Sequence, residues 1–192
     1  MLSAREVSAG LYGAYRLARL DTDGLRYFDA SASPQGFWRA LVAGATIVAL
    51  PHALLLFIHF AGEPEPPDGT LFAVVNAISY VMAWTMFPLV MFHLSILLDR
   101  RHRYLRYVVA YNWAAVLQNG LYLPFAIAER SGLLPPEAAL FLLLLVLLAM
   151  IAYSCTVAHL ALEVPVLTAV GIVVLDLMLG IFLQVWTDSL LQ

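Results

Sequence analysis

The chain has 192 residues, 62% hydrophobic and 12% charged, with a mean hydropathy of +0.85 and a formal net charge of −3. A soluble domain is about a quarter charged, so these proportions exclude a water-soluble single domain, a disordered chain and a nucleic-acid binder. A single cysteine excludes a disulfide-stapled module, and what remains is a small polytopic membrane protein whose first partner is the lipid bilayer.

Residues 1–36 read as a short N-terminal cytoplasmic or interfacial segment, and residues 37–192 as a transmembrane domain. No stretch near Met1 reads as a cleavable signal, because the first apolar run begins only at about residue 37. Val7, Leu11, Ala14 and Ala18 recur at helical spacing, with Tyr12 and Tyr15 beside them and Arg5, Arg16 and Arg19 as the charged members. Two arrangements fit. One is an amphipathic helix on the inner leaflet, its Arg reaching phosphates and its Tyr at headgroup level. The other is a helix packed over the inner mouth of the bundle. Asp21-Thr-Asp23-Gly24 opens like a calcium loop but lacks the later ligands and the closing Glu. It reads instead as a turn whose Asp side chains cap the next short helix. Ser31, Ser33 and Pro34 supply cap and first-turn residues before the first span. Tyr27, Phe28, Phe37 and Trp38 form an inner aromatic belt.

A helix needs about 20 apolar residues to cross the hydrocarbon. Five segments qualify, at about 40–61, 71–98, 107–128, 138–162 and 164–187, the last interrupted by Asp176. Backbone groups in lipid must bond within their own segment, so these are helices. Barrel strands alternate in polarity, and the run 140–148 does not. The breaks between spans are an acidic, proline-rich turn at 63–69, a basic loop at 99–106, a third break at 129–137 and the tight Glu163-Val-Pro165, which makes the last two spans an antiparallel hairpin. The predicted fold is therefore all-α: a five-span bundle with a short N-terminal interfacial helix.

All ten basic residues are Arg. Arg pairs bidentately with phosphate, which suits a membrane surface; a GC-rich genome produces the same bias. Positive residues stay on the untranslocated side. Arg5, Arg16, Arg19, Arg26 and Arg39 precede the first span, and Arg100, Arg101, Arg103 and Arg106 lie between the second and third, leaving Arg130 alone on the other side. The N terminus is then inside and the C terminus outside. Arg16, Arg19, Arg100, Arg101, Arg103 and Arg106 are the candidate contacts to membrane surface or partner.

Polar groups inside the membrane are the default place to look for function. Counting inward from the span ends puts Asp176, Gln118, Asn119, His52 and Tyr153 in one midplane layer, with Pro51 and Pro88 interrupting two of the helices and Pro124 a third. Asp176 should face the bundle, protonated or bonded to the amides of the third span. It serves either as a proton or cation site or as a polar clasp that fixes helix packing. A second layer nearer the inner face holds His93, Asn112 and His159, with Cys155, the last read as a packing residue. Two histidines at one depth on different helices could ligate a b-type haem or a metal, although the spacing carries no signature and no cofactor is expected. His52 and His59 share a helix face, His59 near the outer surface. Gly44 with Ala45, and Gly171 with Gly180, permit close helix contacts. No nucleophilic motif, phosphate loop or paired-carboxylate site is present, so the chain reads as non-enzymatic.

Tyr111-Asn112-Trp113 followed by Leu121-Tyr122-Leu123-Pro124, set in five spans with a cytosolic N-terminal segment and closely spaced late helices, resembles the bacterial Yip1-domain proteins. The resemblance covers roughly residues 37 to 190 and lies mainly in hydropathy. It implies a five-helix integral membrane protein that works as a scaffold or accessory subunit. The Asp-Leu-Tyr-Gly-Pro motif of the eukaryotic members is not evident, so no trafficking role and no functional residue follows from it. The Arg- and Ala-rich style, as in Ala14-Tyr-Arg-Leu-Ala-Arg-Leu-Asp21, resembles a bacterial inner-membrane protein.

Three functions are open from the sequence. The first is a non-enzymatic inner-membrane protein acting through other membrane proteins, lipids or self-association. The second is a small transporter or proton-coupled carrier centred on Asp176, Gln118 and Asn119. The third is a haem-binding subunit.

Overall fold

A computed structural model describes residues 3–63 and 68–191 of the chain. The proline-rich heart of the expected turn at 63–69, residues 64–67, lies outside them. The described residues contain helices and turns only. In chain order they are α1 (Ala4–Ala18), a 3-10 turn (Thr22–Leu25), α2 (Arg26–Asp29), α3 (Pro34–Gly62), α4 (Gly69–Leu97), a second 3-10 turn (Arg101–Arg103), α5 (Tyr104–Arg130), α6 (Pro136–Leu162) and α7 (Val166–Leu191).

Local chemistry sets the ends. Ser3 and Glu6 form a reciprocal capping box on α1. The Asp21 side chain accepts from Asp23 N, capping the turn that sequence alone likens to a calcium loop. Ser33 accepts from Gly36 N with Pro34 in the first turn of α3, and Asp68 accepts from Thr70 N and Leu71 N at the start of α4. Pro51, Pro88 and Pro124 lie inside helices that continue through them. The last helix begins at Val166, two residues later than expected, because Glu163 turns into the left-handed region at φ 55 and Pro165 cannot extend α6.

α3, α4, α6 and α7 are long and apolar enough to cross a bilayer, which makes this a multi-pass membrane protein by length and composition. α5 is equally long but more polar, carrying Asn112, Gln118 and Asn119. It is also the helix against which α3, α6 and α1 pack. α3 packs along one side of it and α6 along the other, and α1 lies across it. α4 and α7 pair into a second layer, tied back through the α6–α7 hairpin. A helix shielded by protein does not need the apolarity that lipid demands. The outward faces of α6 and α7 are aliphatic and aromatic, as at Leu140, Phe141, Leu167 and Phe182.

Small residues set the close approaches. A Cβ at Gly10 of α1 would overlap the indole of Trp113 on α5. One at Gly44 of α3 would fall 2.8 Å from Cζ3 of Trp84 on α4. Gly13 lies equally tight under Tyr27 and Phe28. The N-terminal segment is therefore built onto one end of the bundle: Ala14, Leu17 and Phe28 are fully buried there, while Tyr12 and Tyr15 face outward.

Candidate functional site

The five residues matched by depth do not converge. Gln118 Nε2 donates to Met150 O at 3.0 Å and to Ser154 Oγ at 2.7 Å, fastening α5 to α6. Asn119 turns back to Ala115 O of its own helix. The Tyr153 hydroxyl donates to Ala14 O at 2.8 Å, so it belongs to the contact with α1 rather than to a midplane layer. His52 stacks on Tyr80, ring centroids 5.0 Å apart. Asp176 is bonded by a phenol, not by the amides of α5: the Tyr111 hydroxyl lies 3.1 and 3.2 Å from its two carboxylate oxygens and donates to them. Residue counting gives depth along a helix but not rotation about it, and α5 turns Gln118 and Tyr111 to different neighbours. Sequence reasoning weighed amides as partners for Asp176 and passed over the phenol, which residue counting places with Asn112 about two turns nearer the inner face.

The second layer also comes apart. His93 is exposed on α4, its Nδ1 3.3 Å from Leu89 O of the same helix. His159 Nδ1 lies 2.6 Å from Val164 O and staples the α6–α7 turn. It lines a cleft of about 290 Å³ with Leu20, Thr22 and Cys155. Asn112 is fully buried on α5, and neither amide atom has a partner among the described residues. No group of three His, Cys, Asp or Glu side chains able to hold a metal occurs among the described residues.

The Arg set divides by what each side chain touches. Arg106 is a correction to the expected surface array, for it is only 7% exposed. Its Nε and Nη2 donate to Ala161 O at 2.9 and 2.7 Å, and Nη2 reaches Leu160 O at 3.3 Å and Glu163 Oε1 at 3.0 Å. The guanidinium thus caps the last carbonyls of α6 and anchors the hairpin. Arg103 pairs with the same Glu163 at 2.9 Å. Arg16 closes the turn below α1 through Asp21 at 2.6 Å and Asp23 at 3.4 Å. Arg100 donates to Glu163 O. Arg19 and Arg101 sit over the rings of Tyr15 and Phe92, at 5.9 and 5.8 Å, without a carboxylate partner among the described residues. The acids that hold these cations titrate low. Arg106, by hydrogen bond, keeps the Glu163 carboxyl below the usual carboxylate range, and Arg16 does the same for Asp21. The Ser3 backbone N–H, with help from Arg39, does so for Glu6.

At the end of the bundle away from α1 the helices part. A chamber of about 350 Å³ lies between α3, α4, α5 and α7. Asn76, Ser79, Asn119 and Gln184 give it polar walls, and His59 and Asp188 lie at its mouth. Ser79 and Thr187 share a 2.6 Å hydrogen bond across α4 and α7, and Gln184 Nε2 donates to Asp188 Oδ1 at 2.9 Å. Arg130 Nη1 lies 3.0 Å from His59 Nδ1. Two apolar clefts flank the chamber. One, about 550 Å³, separates α3 from α4. It is bounded at one end by the Tyr80 hydroxyl on Ala45 O at 2.6 Å and at the other by Phe60 against Phe72. The second, about 760 Å³, runs between α5, α6 and α7, with Asp176 in its wall. The sequence signal for the chamber was the four-residue spacing of Gln184 and Asp188 on α7 and the three-residue spacing of Asn76 and Ser79 on α4, each pair on one helix face.

This end of the molecule joins polar walls to apolar clefts. The chain matches no protein-family model, no curated protein and no solved structure.

Proposed function

We propose that this is a five-span, non-enzymatic protein of a bacterial inner membrane, N terminus inside and C terminus outside, acting by contact with other membrane proteins or lipids as a Yip1-like scaffold or accessory subunit. One argument supports five spans over four. α5 has the length of its apolar neighbours and lies among them, and its polar side chains are met by α6 and α7. The Arg distribution supports the crossings of α3 and α4, which bring nine Arg to one side.

The observation that carries the contact role is the shape of the α1 end. It is closed by glycine-tight packing, so its surface is fixed rather than mobile. It turns Arg19, Arg101, Tyr12 and Tyr15 outward while Arg106 and Arg16 are used within the fold. Rigid aromatic and Arg side chains are what interface anchors are made of. Gentle solubilisation of native membranes followed by native mass measurement tests the role. The wild-type chain is expected in a defined larger particle. The combined Arg19→Gln, Arg100→Gln and Arg101→Gln variant should release it as a single chain, while Asp176→Asn should not. The opposite ranking overturns the reading.

A small proton-coupled carrier is the second reading, favoured by a chamber walled in part by Tyr111, whose hydroxyl donates to Asp176. It requires that Asp176→Asn abolish proton flux in proteoliposomes of folded protein. Unchanged flux removes it.

A further inference from the structure

We propose that the chamber has a second, deeper compartment at Asn112, which fills with water when the Trp84 indole swings aside. This site rests on neither function proposed above.

Asn112 is fully buried on α5, and neither its amide oxygen nor its amide nitrogen has a partner among the described residues. Three polar neighbours on the same helix are tied: Gln118 to α6, Asn119 to its own backbone and Tyr111 to Asp176. Asn112 is tied to nothing, so it is no clasp between helices. A buried amide left unmet is costly, and native folds nearly always supply its partners, from protein or from ordered water. Asparagine offers donors and an acceptor without charge, which suits water rather than an ion.

Its place on α5 gives the source of the water. Residues three, four and seven apart share a helix face. Asn112 therefore lies on the face that carries Ala115 and Asn119, both in the chamber wall. It stands about one turn beneath Ala115 and about 10 Å beneath Asn119. What closes it off is a plug where α3, α4 and α5 meet. Trp84 lines the chamber and is only 8% exposed. A Cβ at Gly44 would fall 2.8 Å from the Trp84 ring and 3.1 Å from Cγ2 of Val116. Val116 is one turn above Asn112 on the same face, so the indole sits at the level just above the amide.

The plug is placed where the fold can give. Pro88 follows Trp84 by four residues inside α4 and has no N–H, so the Trp84 carbonyl loses its helix donor and the turn is loosened. α5 is held mainly by α3 and α6, and α4 touches it far less. The chamber, about 350 Å³, gives the displaced ring somewhere to go.

Cysteine labelling tests the compartment in the full chain. Asn112→Cys in a Cys155→Ala background, in proteoliposomes, would be treated with methyl methanethiosulfonate and followed by intact mass. The reagent needs a thiolate, which forms where water reaches the sulfur. Ala110→Cys, 1% exposed at nearly the same depth on the opposite face of α5, is the dry comparison. Asn112→Cys should react about tenfold faster than Ala110→Cys, through transient opening of the plug. Adding Trp84→Ala should speed Asn112→Cys by about tenfold more and leave Ala110→Cys unchanged. Gly44→Ala, whose Cβ displaces the indole from the α3 side, should give the same acceleration, and it carries the test if Trp84→Ala fails to fold. Equal rates at positions 112 and 110, or a rate at 112 that ignores the plug variants, would each overturn the proposal.

Discussion

Arg106 spends its charge inside the fold. Four orphan carbonyls end every helix, and here a single guanidinium answers Leu160 and Ala161 while pairing with Glu163. Its planar fork makes this possible, and the positive charge sits at the negative end of the α6 dipole. Arg106→Met should therefore destabilise the protein by about 1.5–3 kcal/mol, the usual range for hydrogen bonds to a charged group. Arg106→Lys should recover only part of that, since an ammonium cannot fork between carbonyls; equilibrium unfolding in mixed micelles measures both. Glu163 adds a pH dependence. Its carboxyl is held below the ordinary value of 4.5 in the folded state, chiefly by the hydrogen bond from Arg106. A depressed carboxylate contributes stability in full above its unfolded value, and the contribution is lost as pH falls through the folded value. The gap in stability between wild type and Glu163→Gln should thus be constant at neutral pH and close on acidification below about 4.5. A gap that widens in acid would contradict the pairing. Glu163 is half exposed, so the effect should be modest and should shrink with salt.

α1 docks by close contact as well as by burying Ala14 and Leu17. Helix association beside lipid depends on close van der Waals contact, and α1 achieves it by setting Gly10 against the indole of Trp113 and Gly13 under Phe28. The Tyr153 hydroxyl on Ala14 O adds a bond from α6. Gly10→Leu has no room against that ring. It should undock α1 while leaving the spans in place: Trp113 emission should shift to the red, and protease should clip the segment before Ser33. Protection equal to wild type would mean that α1 is not held there. This docking was half legible. The spacing of Val7, Leu11 and Ala14 gave the helix, and the caps at Ser33 and Pro34 gave its neighbour. The choice between a surface helix and a packed one was not available, because an apolar-periodicity reading gives little weight to glycine, and glycines are the contact. The same limit split the midplane layer. Counting along the spans grouped these residues by depth, but Gln118 meets Ser154 and Asp176 meets Tyr111 because azimuth follows from the packing of whole helices, which span boundaries do not contain.

At the scale of the molecule, the arrangement is a three-helix layer of α3, α5 and α6 facing an α4–α7 pair, closed at the α1 end and parted at the other. The closure and the parting have different chemistry. The closed end is tied by Tyr104 on Pro88 O and by the Arg106–Glu163 cap. At the parted end, polar walls replace packing. On the five-span reading proposed above, α5 crosses the membrane with the others, and this fixes the sides of every loop. A bundle of four crossings would put both termini on one side; five put them on opposite sides. Because Cys155 is the only cysteine, the test is clean. In a Cys155→Ala background, Ser3→Cys should react with a membrane-impermeant maleimide only in inverted vesicles, and Ser189→Cys only in intact cells. Ser131→Cys, just beyond α5, should follow Ser189→Cys, and Arg101→Cys, just before it, should follow Ser3→Cys. If Ser131→Cys and Arg101→Cys label from the same side, α5 does not cross. The nine Arg up to Arg39 and from Arg100 to Arg106 would still share one side, since only the crossings of α3 and α4 separate them, but Arg130 would join them and the two termini would lie on the same side.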